Sequence, residues 1–395
     1  MDKKTVKDIE VGGKRVLMRV DFNVPMDKST GEITDDGRIQ ASIPTIRYLI
    51  DQNAKIILCS HLGRPKGVVT ENYRLARAGK HLAEILRRPV KCTSDCIGPE
   101  VEKAVGEMQI GDIVLLENLR FHPEEEKNDP QFTKSLAKLA DIYVNDAFSA
   151  SHRAHASIAG VPKYLPAVAG FVMEKDLKFL GKALADPARP FAIIVGGAKV
   201  SDKIGLLQNI LQKVDVLIIG GGMANTFIKA QGYDVGKSKV EDDQLDFARS
   251  LIEKAASNGV RLLLPVDAIA AEEFTAEAKR KTVSLKDVPP GWMILDIGPK
   301  SIEKFGEGLK DSKTVVWNGP MGVFEFPAFA QGTRGLASLV ADLDATTIVG
   351  GGDTVAAVDQ FGLNIKMTYI STGGGASLEF LEGKTLPGVA ALLDK

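Results

Sequence analysis

The sequence predicts an α/β protein of two Rossmann-like domains, each a parallel sheet covered by helices on both faces, joined by an interdomain helix. Three observations predict it. Short β-branched apolar runs alternate with amphipathic segments along almost the whole chain. Those runs are continuously apolar, which marks strands buried on both faces, as in parallel sheets. The 395 residues suffice for two cores of roughly 150–200 residues each.

In the first half the strands read RVLMRVD (15–21), KIILCSH (55–61), DIVLLEN (112–118) and DIYVNDA (141–147). In the second they read FAIIVGG (191–197), DVLIIGGG (215–222), RLLLPVD (261–267), MILDIG (293–298), TVVWNGP (314–320), TTIVGGGD (346–353) and MTYISTGGG (367–375). Amphipathic segments such as GKHLAEILRR and AFAQGTRGLASLVADL lie between them, the alternation of βαβ units. Gly170 to Pro190 has the apolar spacing of one helix, stopped by Asp186-Pro187 and Pro190. A helix there is a stiff connector that bends at its ends. The expected organisation is a domain over 1–170, a connecting helix over 171–187 and a second domain over 188–385.

Composition narrows the function classes. A chain that is 44% hydrophobic and 26% charged, with net charge −1, lacks the electrostatic footprint of a nucleic-acid or membrane-surface binder. No apolar run approaches the ~18 residues of a bilayer span. Met1-Asp2-Lys3-Lys4 has no apolar stretch behind it, so no signal peptide is expected and the cytoplasm is the expected compartment. Cys59, Cys92 and Cys96 are too few for a disulfide framework. Cys92 and Cys96 lack a second Cys/His pair at zinc-ligand spacing and read as inert thiols.

Open parallel sheets bind ligands beyond the carboxyl ends of their strands. In the first half those ends collect Arg19, Asp21 and Asn23 (RVDFNVP), His61 and Arg64 (SHLGRP), Arg120 (ENLRFH) and Arg153 (SASHRAHAS), with Arg38 from TDDGRI. Each arginine alone reads as a solvated charge; together they suit a phosphate or carboxylate, which guanidinium groups hold bidentately. His152 and His155 read as solvated or supporting residues, and His61 as a ligand contact or a packed loop residue.

Strands of the second half end instead in glycine, at 196–197, 220–222, 298, 319, 350–352 and 373–375. Glycines let backbone N–H groups approach phosphates closely. GGGDTVAAVDQF (350–361) places Asp353-Thr354 at a helix start, as plain caps or as a phosphate and Mg²⁺ site. Asn318 and Glu325 in WNGPMGVFE belong to a nucleotide loop or to an ordinary turn, with Glu325 free to take a ribose hydroxyl. GGAKVSDKI sets Lys199 and Lys203 at a helix start, where cations are unfavourable unless an anion offsets them. GYDVGKS (232–238) is one residue short of a phosphate loop, and no GxGxxG with an acidic residue some 20 positions on is present.

RVDFNVP, SHLGRP, NDAFSASHRAHAS, GGAKVSDKI, GGGMANTF, DIGP, WNGPMGVFE, GGGDTVAA and STGGGASLEFLEG occur in this order over almost the whole chain. Together they resemble the motifs of the phosphoglycerate kinase family, and the length is similar to that of its bacterial members. The resemblance implies reversible phosphoryl transfer between 1,3-bisphosphoglycerate and Mg-ADP, with Mg²⁺ as cofactor, small molecules as the only partners, and a monomer. It implies that Asp21, Asn23, Arg38, His61, Arg64, Arg120 and Arg153 bind phosphoglycerate. Lys199, Lys203, Gly220, Gly221, Asn318, Glu325, Gly351, Gly352, Asp353 and Thr354 then belong to the nucleotide, with Asp353 as the Mg²⁺ contact. Arg38, Lys199, Gly352 and Gly375 are implied at the transferring phosphoryl group, and the tail 386–395 is expected to return to the first domain. Two other readings, an NAD-dependent dehydrogenase and a non-catalytic nucleotide-binding protein, lack respectively the dinucleotide fingerprint and a reason for the arginine set.

Overall fold

The computed structural model describes residues 2–27 and 29–395. Contacts divide the chain into two units, one running up to Lys178 and adding Thr385–Lys395, the other Phe179–Lys384.

The first unit is built on six strands: β1 (Arg15–Arg19), β2 (Lys55–Cys59), β3 (Lys91–Cys92), β4 (Ile113–Leu115), β5 (Ile142–Asn145) and β6 (Ala167–Ala169). Their order is β3-β4-β2-β1-β5-β6, and every pairing is parallel. Val16 on the central strand pairs with Ile56 on one side and Ile142 on the other. All three side chains are buried in one core with Ile39, Ile46 and Leu49 of the helix Gly37–Asp51. Residues from the far C-terminus complete this unit. The N–H of Gly388 donates to Ser151 O (2.8 Å) and that of Leu393 to Ala167 O (3.0 Å).

The second unit carries β7 (Phe191–Val195), β8 (Val216–Ile219), β9 (Arg261–Leu263), β13 (Thr314–Asn318), β14 (Thr346–Gly350) and β15 (Tyr369–Ile370). They form a second parallel sheet in the order β15-β14-β13-β7-β8-β9. β10 (Asp267–Ala271), β11 (Arg280–Ser284) and β12 (Met293–Ile297) form a separate antiparallel sheet with β10 in the middle.

That small sheet corrects two expectations. The 293–298 run is not a strand of the main sheet, and the 261–267 run breaks at Leu264–Val266 into the end of one sheet and the start of another. Both runs are short and apolar, and periodicity does not say which neighbour a strand will pair with. The connecting helix is Phe171–Ala185, and the division between the units falls within it.

Candidate active site

Parallel strands put all their carboxyl ends on one edge of a sheet, so each unit gathers its strand-end residues there. In the first unit the gathering starts from a buried arginine. Arg19, only 1% exposed, donates from Nε to Ser157 Oγ (3.0 Å), from Nη1 to Val20 O, and from Nη2 to His61 Nδ1 (3.1 Å). Ser157 is itself held by the buried Glu125, which accepts its N–H at 2.9 Å and its hydroxyl at 2.5 Å.

An arginine can only donate, so His61 Nδ1 must be the acceptor and Nε2 carries the imidazole proton. Burial, with Arg19, Arg120 and Arg38 nearby, holds His61 well below the usual imidazole range against the pull of Asp21. His61 is therefore a neutral hydrogen-bond donor.

Arg38 stands in the first turn of Gly37–Asp51, a poor place for a cation beside a helix dipole. Asp21 offsets this: its Oδ2 lies 2.8 Å from Arg38 Nη1 and also accepts from Ser149 Oγ. Burial would raise Asp21, but the charges of Arg38 and Arg19 and the Ser149 hydroxyl outweigh it and keep the carboxyl below its usual value. Asn23 ties the loop together, its Oδ1 accepting from Gly63 N (2.8 Å) and its carbonyl from Arg38 Nη1 (3.2 Å).

Arg120 is buried in the turn Leu119–Phe121 and donates from Nη1 to Gly63 O (2.8 Å), with Glu126 3.3 Å from its Nε. Burial, and then the charge of Arg153, lower it to about 10, so these guanidinium groups are close enough to repel. Arg153 donates to His152 Nε2 (3.2 Å). Arg64 is exposed and makes no hydrogen bond or ion pair with the described residues. The result is a cluster of cations with fewer anions than it needs, which is what an anion site requires before its ligand arrives.

In the second unit, Lys203 ends the turn Ser201–Lys203 and the helix proper is Ile204–Ile210. Lys199 precedes both and is exposed, so only Lys203 stands at the helix start. The helix start already has an anion. Glu241 accepts the N–H groups of Val200 (2.6 Å) and Ser201 (3.0 Å) and the Ser201 hydroxyl. Sequence reasoning assigned that role to a ligand; a carboxylate some 40 residues away leaves no local signal.

Lys203 is the more telling residue. Its Nζ donates to the amide oxygen of Asn318, at the end of β13, and no described carboxylate pairs with it. Burial lowers the ammonium to about 8, against the opposing charges of Asp202, Asp353 and Glu382.

The glycines sort into two groups. A Cβ on Gly319 (φ 105°) would stand 2.2 Å from Gly196 O, and one on Gly221 (φ 65°) would stand 2.6 Å from Gly197 N. These glycines exist so that three strand-end loops can touch. Gly352, by contrast, has open space where a Cβ would be. It begins the helix Gly352–Gln360, whose N-cap is Gly351 (φ 91°). Asp353 and Thr354 are thus inside the helix and not its caps. The Thr354 hydroxyl accepts from Gly319 N (2.6 Å), while Asp353 is exposed and forms no hydrogen bond or ion pair with the described residues. Gly374 is followed by the short helix Gly375–Leu381, with Gly375 exposed at its start.

Beside these residues lies a cavity of about 440 Å³. Gly197, Gly221 and Asp353 line its polar part, and Glu325 also borders it. Ala224, Ile228, Leu285, Leu295 and Val323 supply apolar walls, two of them from the small antiparallel sheet and its flank. An apolar slot beside free N–H groups, a half-buried lysine and a free carboxylate suits a flat base with a phosphate chain. Gly220 is buried, and a Cβ there would meet Met321 Sδ at 2.2 Å, so its part is in the packing beneath the cavity.

Comparison with known proteins decides what this combination belongs to. The family model for phosphoglycerate kinase matches residues 6–384. The chain belongs to the phosphoglycerate kinase family. Its relatives include the phosphoglycerate kinases of Moorella thermoacetica, 60% identical, and Pelotomaculum thermopropionicum, 59% identical, both over 395 residues and the full length of each chain. Among solved structures it resembles phosphoglycerate kinase from Coxiella burnetii (TM-score 0.89, 44% identity, 98% of both chains). It also resembles the enzyme from Pyrococcus horikoshii (TM-score 0.86, 35% identity, 98% of both chains). The phosphoglycerate kinase fold of two parallel six-stranded sheets is therefore shared over 98% of the chain.

Proposed function

We propose that the chain transfers a phosphoryl group reversibly between 1,3-bisphosphoglycerate and Mg-ADP, giving 3-phosphoglycerate and Mg-ATP. In this reading the arginine cluster holds the phosphoglycerate and the second unit holds the nucleotide. One observation carries it beyond family membership: Lys203 is a half-buried ammonium with no paired carboxylate, close to Asp353, which lines the base-sized cavity.

Asp353 fits a Mg²⁺ contact, since this ion takes one or two carboxylate oxygens and completes its shell with phosphates and waters. When bound, Mg²⁺ supplies neutralisation of phosphate charge. The other work falls to the chain. Both attacking groups, a nucleotide phosphate oxygen and a carboxylate, are already anions, so no proton has to be removed. The site agrees: His61 is neutral and held as a donor, and Asp21 is occupied with Arg38 and Ser149. Alignment and charge compensation by Arg38, Lys199, Lys203 and the N–H groups at Gly352 and Gly375 then supply the catalysis. The exposed Lys199 and Arg64 are free to follow their ligands.

Placing two substrates on two units requires them to come together, with the ends of Phe171–Ala185 absorbing the motion. Small-angle scattering should show a smaller radius of gyration with both ligands than with either one. An unchanged radius would refute the closure.

A coupled assay supplying 3-phosphoglycerate and ATP tests the activity. The wild-type chain should turn over, and Arg38→Ala should lose about 10²–10³ in kcat with its fold intact. A dehydrogenase would show NAD(H) binding instead, and a non-catalytic nucleotide binder no turnover.

A further inference from the structure

Asp95, Cys96 and His122 converge in the first unit, and the proposed reaction uses none of them. A donor atom from each lies within 4.8 Å of the other two. His122 Nε2 is 2.6 Å from Asp95 Oδ1, with the two side chains 26% and 50% exposed, while Cys96 is fully buried. The thiol is thus buried while the other two donors are partly exposed.

These donors are held in place. The His122 ring packs against Phe132, centroids 5.3 Å apart, and the backbone N–H of His122 donates to Leu119 O (3.1 Å). The Thr93 hydroxyl donates to Asp95 O at 2.6 Å, and the Cys96 N–H to Asp95 Oδ1 at 2.6 Å. We infer that Asp95, Cys96 and His122 form a binding site for a divalent cation of the zinc class, distinct from the Mg²⁺ contact proposed at Asp353.

The chemistry of the set points that way. One oxygen, one sulfur and one imidazole nitrogen suit Zn²⁺ or Co²⁺, whereas Mg²⁺ selects oxygen alone. Tetrahedral bonds of about 2.0–2.3 Å space their donors by roughly 3.3–3.7 Å. The Asp95–His122 pair would therefore open by about 1 Å, while no pair of donor atoms starts more than 4.8 Å apart. Water from the exposed side fills the fourth position, and the Cys96 S–H proton leaves to solvent as the thiolate binds.

The sequence read Cys92 and Cys96 alike as inert thiols, and the site proposed here takes only the second. Cys92 lies against the helix Ala76–Leu86, where a Cβ on Gly79 would stand 2.3 Å from its Sγ. The loop after Leu119–Phe121 brings His122 to Cys96 instead.

The test uses the full chain, tag removed, stripped with chelator and free of nucleotide. Zn²⁺ is titrated calorimetrically and Co²⁺ by absorbance. One equivalent of Co²⁺ should bind, be displaced by Zn²⁺, and show the near-ultraviolet thiolate charge-transfer band. Cys96→Ser should abolish that band and Cys92→Ser should leave it unchanged. His122→Gln should weaken Zn²⁺ binding by at least the ~10–100-fold typical of lost supporting contacts. This variant alters a partly exposed residue, so it keeps the test decisive should Cys96→Ser fold poorly, which circular dichroism would report. Absence of the band in the wild-type chain, or unchanged Zn²⁺ affinity in His122→Gln, would overturn the assignment.

Discussion

At the scale of single residues, the site is a matter of which charges have partners. Lys203 is lowered to about 8 by burial and donates to a neutral amide. Phosphate binds its charged form, so ADP affinity should fall as pH rises through about 8. The bound anion raises the ammonium again, which extends the loss toward higher pH in the complex. Calorimetric ADP titrations at about pH 7.5 and about 9.5 check this. Lys203→Arg, charged throughout that range, should flatten the dependence. Equal affinities in the wild-type chain at both pH values would remove Lys203 from phosphate binding. His61 and Asp21 show the complementary case. Their residue types were legible in RVDFNVP and SHLGRP, but their states were not, because both depend on Arg19, which also holds Ser157 and, through it, Glu125. Strand position put Arg19 on view in the sequence without revealing that it points inward.

At the scale of elements, the glycine-rich strand ends divide into those that fit backbone to backbone and those that face open space. Gly319→Ala would place a methyl group 2.2 Å from Gly196 O, at a φ that L-residues avoid. It should cost more than ~2 kcal/mol of stability. Gly352→Ala meets nothing within 4 Å and should leave the unfolding free energy within about 0.5 kcal/mol of wild type. Its effect should appear in nucleotide affinity or kcat, because the added methyl group would stand where the phosphates are proposed to bind. Urea unfolding together with steady-state kinetics separates the two. Equal destabilisation by both substitutions would mean that Gly352 is also a packing residue. The sequence treated every strand-end glycine alike, since a glycine's neighbours across three loops are not local information. Of the two readings left open for Asp353-Thr354, the plain cap fails for a related reason: Gly351 takes the cap, and the Thr354 hydroxyl is drawn to Gly319 N.

At the scale of the whole molecule, the C-terminal residues belong to the first unit. Leu386, Val389 and Leu392 are buried there, and Lys4 donates its N–H to Leu393 O at 2.8 Å. Burying each such side chain contributes about 1.5–3 kcal/mol, against a usual total stability of about 5–15 kcal/mol. A chain ending at Lys384 should therefore lose stability in the first unit. Limited proteolysis and calorimetry should locate the loss there. An unaltered first transition would show that the tail only rests on the unit.

What the sequence determined by itself was the sheet class, the number of cores, the strand-end inventory and, through motif order, the family. These follow from chemistry within short windows: apolar runs, turn residues and motifs of a few positions. Tertiary structure alone decided pairing and state. It moved the 293–298 strand into an antiparallel sheet and replaced the anticipated ligand at the Val200–Ser201 N–H groups with Glu241. It left Lys203 without a counter-ion and brought His122 to Asp95 and Cys96. Each of those outcomes depends on residues far apart in the chain, and burial changes a group's charge and hydrogen bonding only once its distant neighbours have arrived.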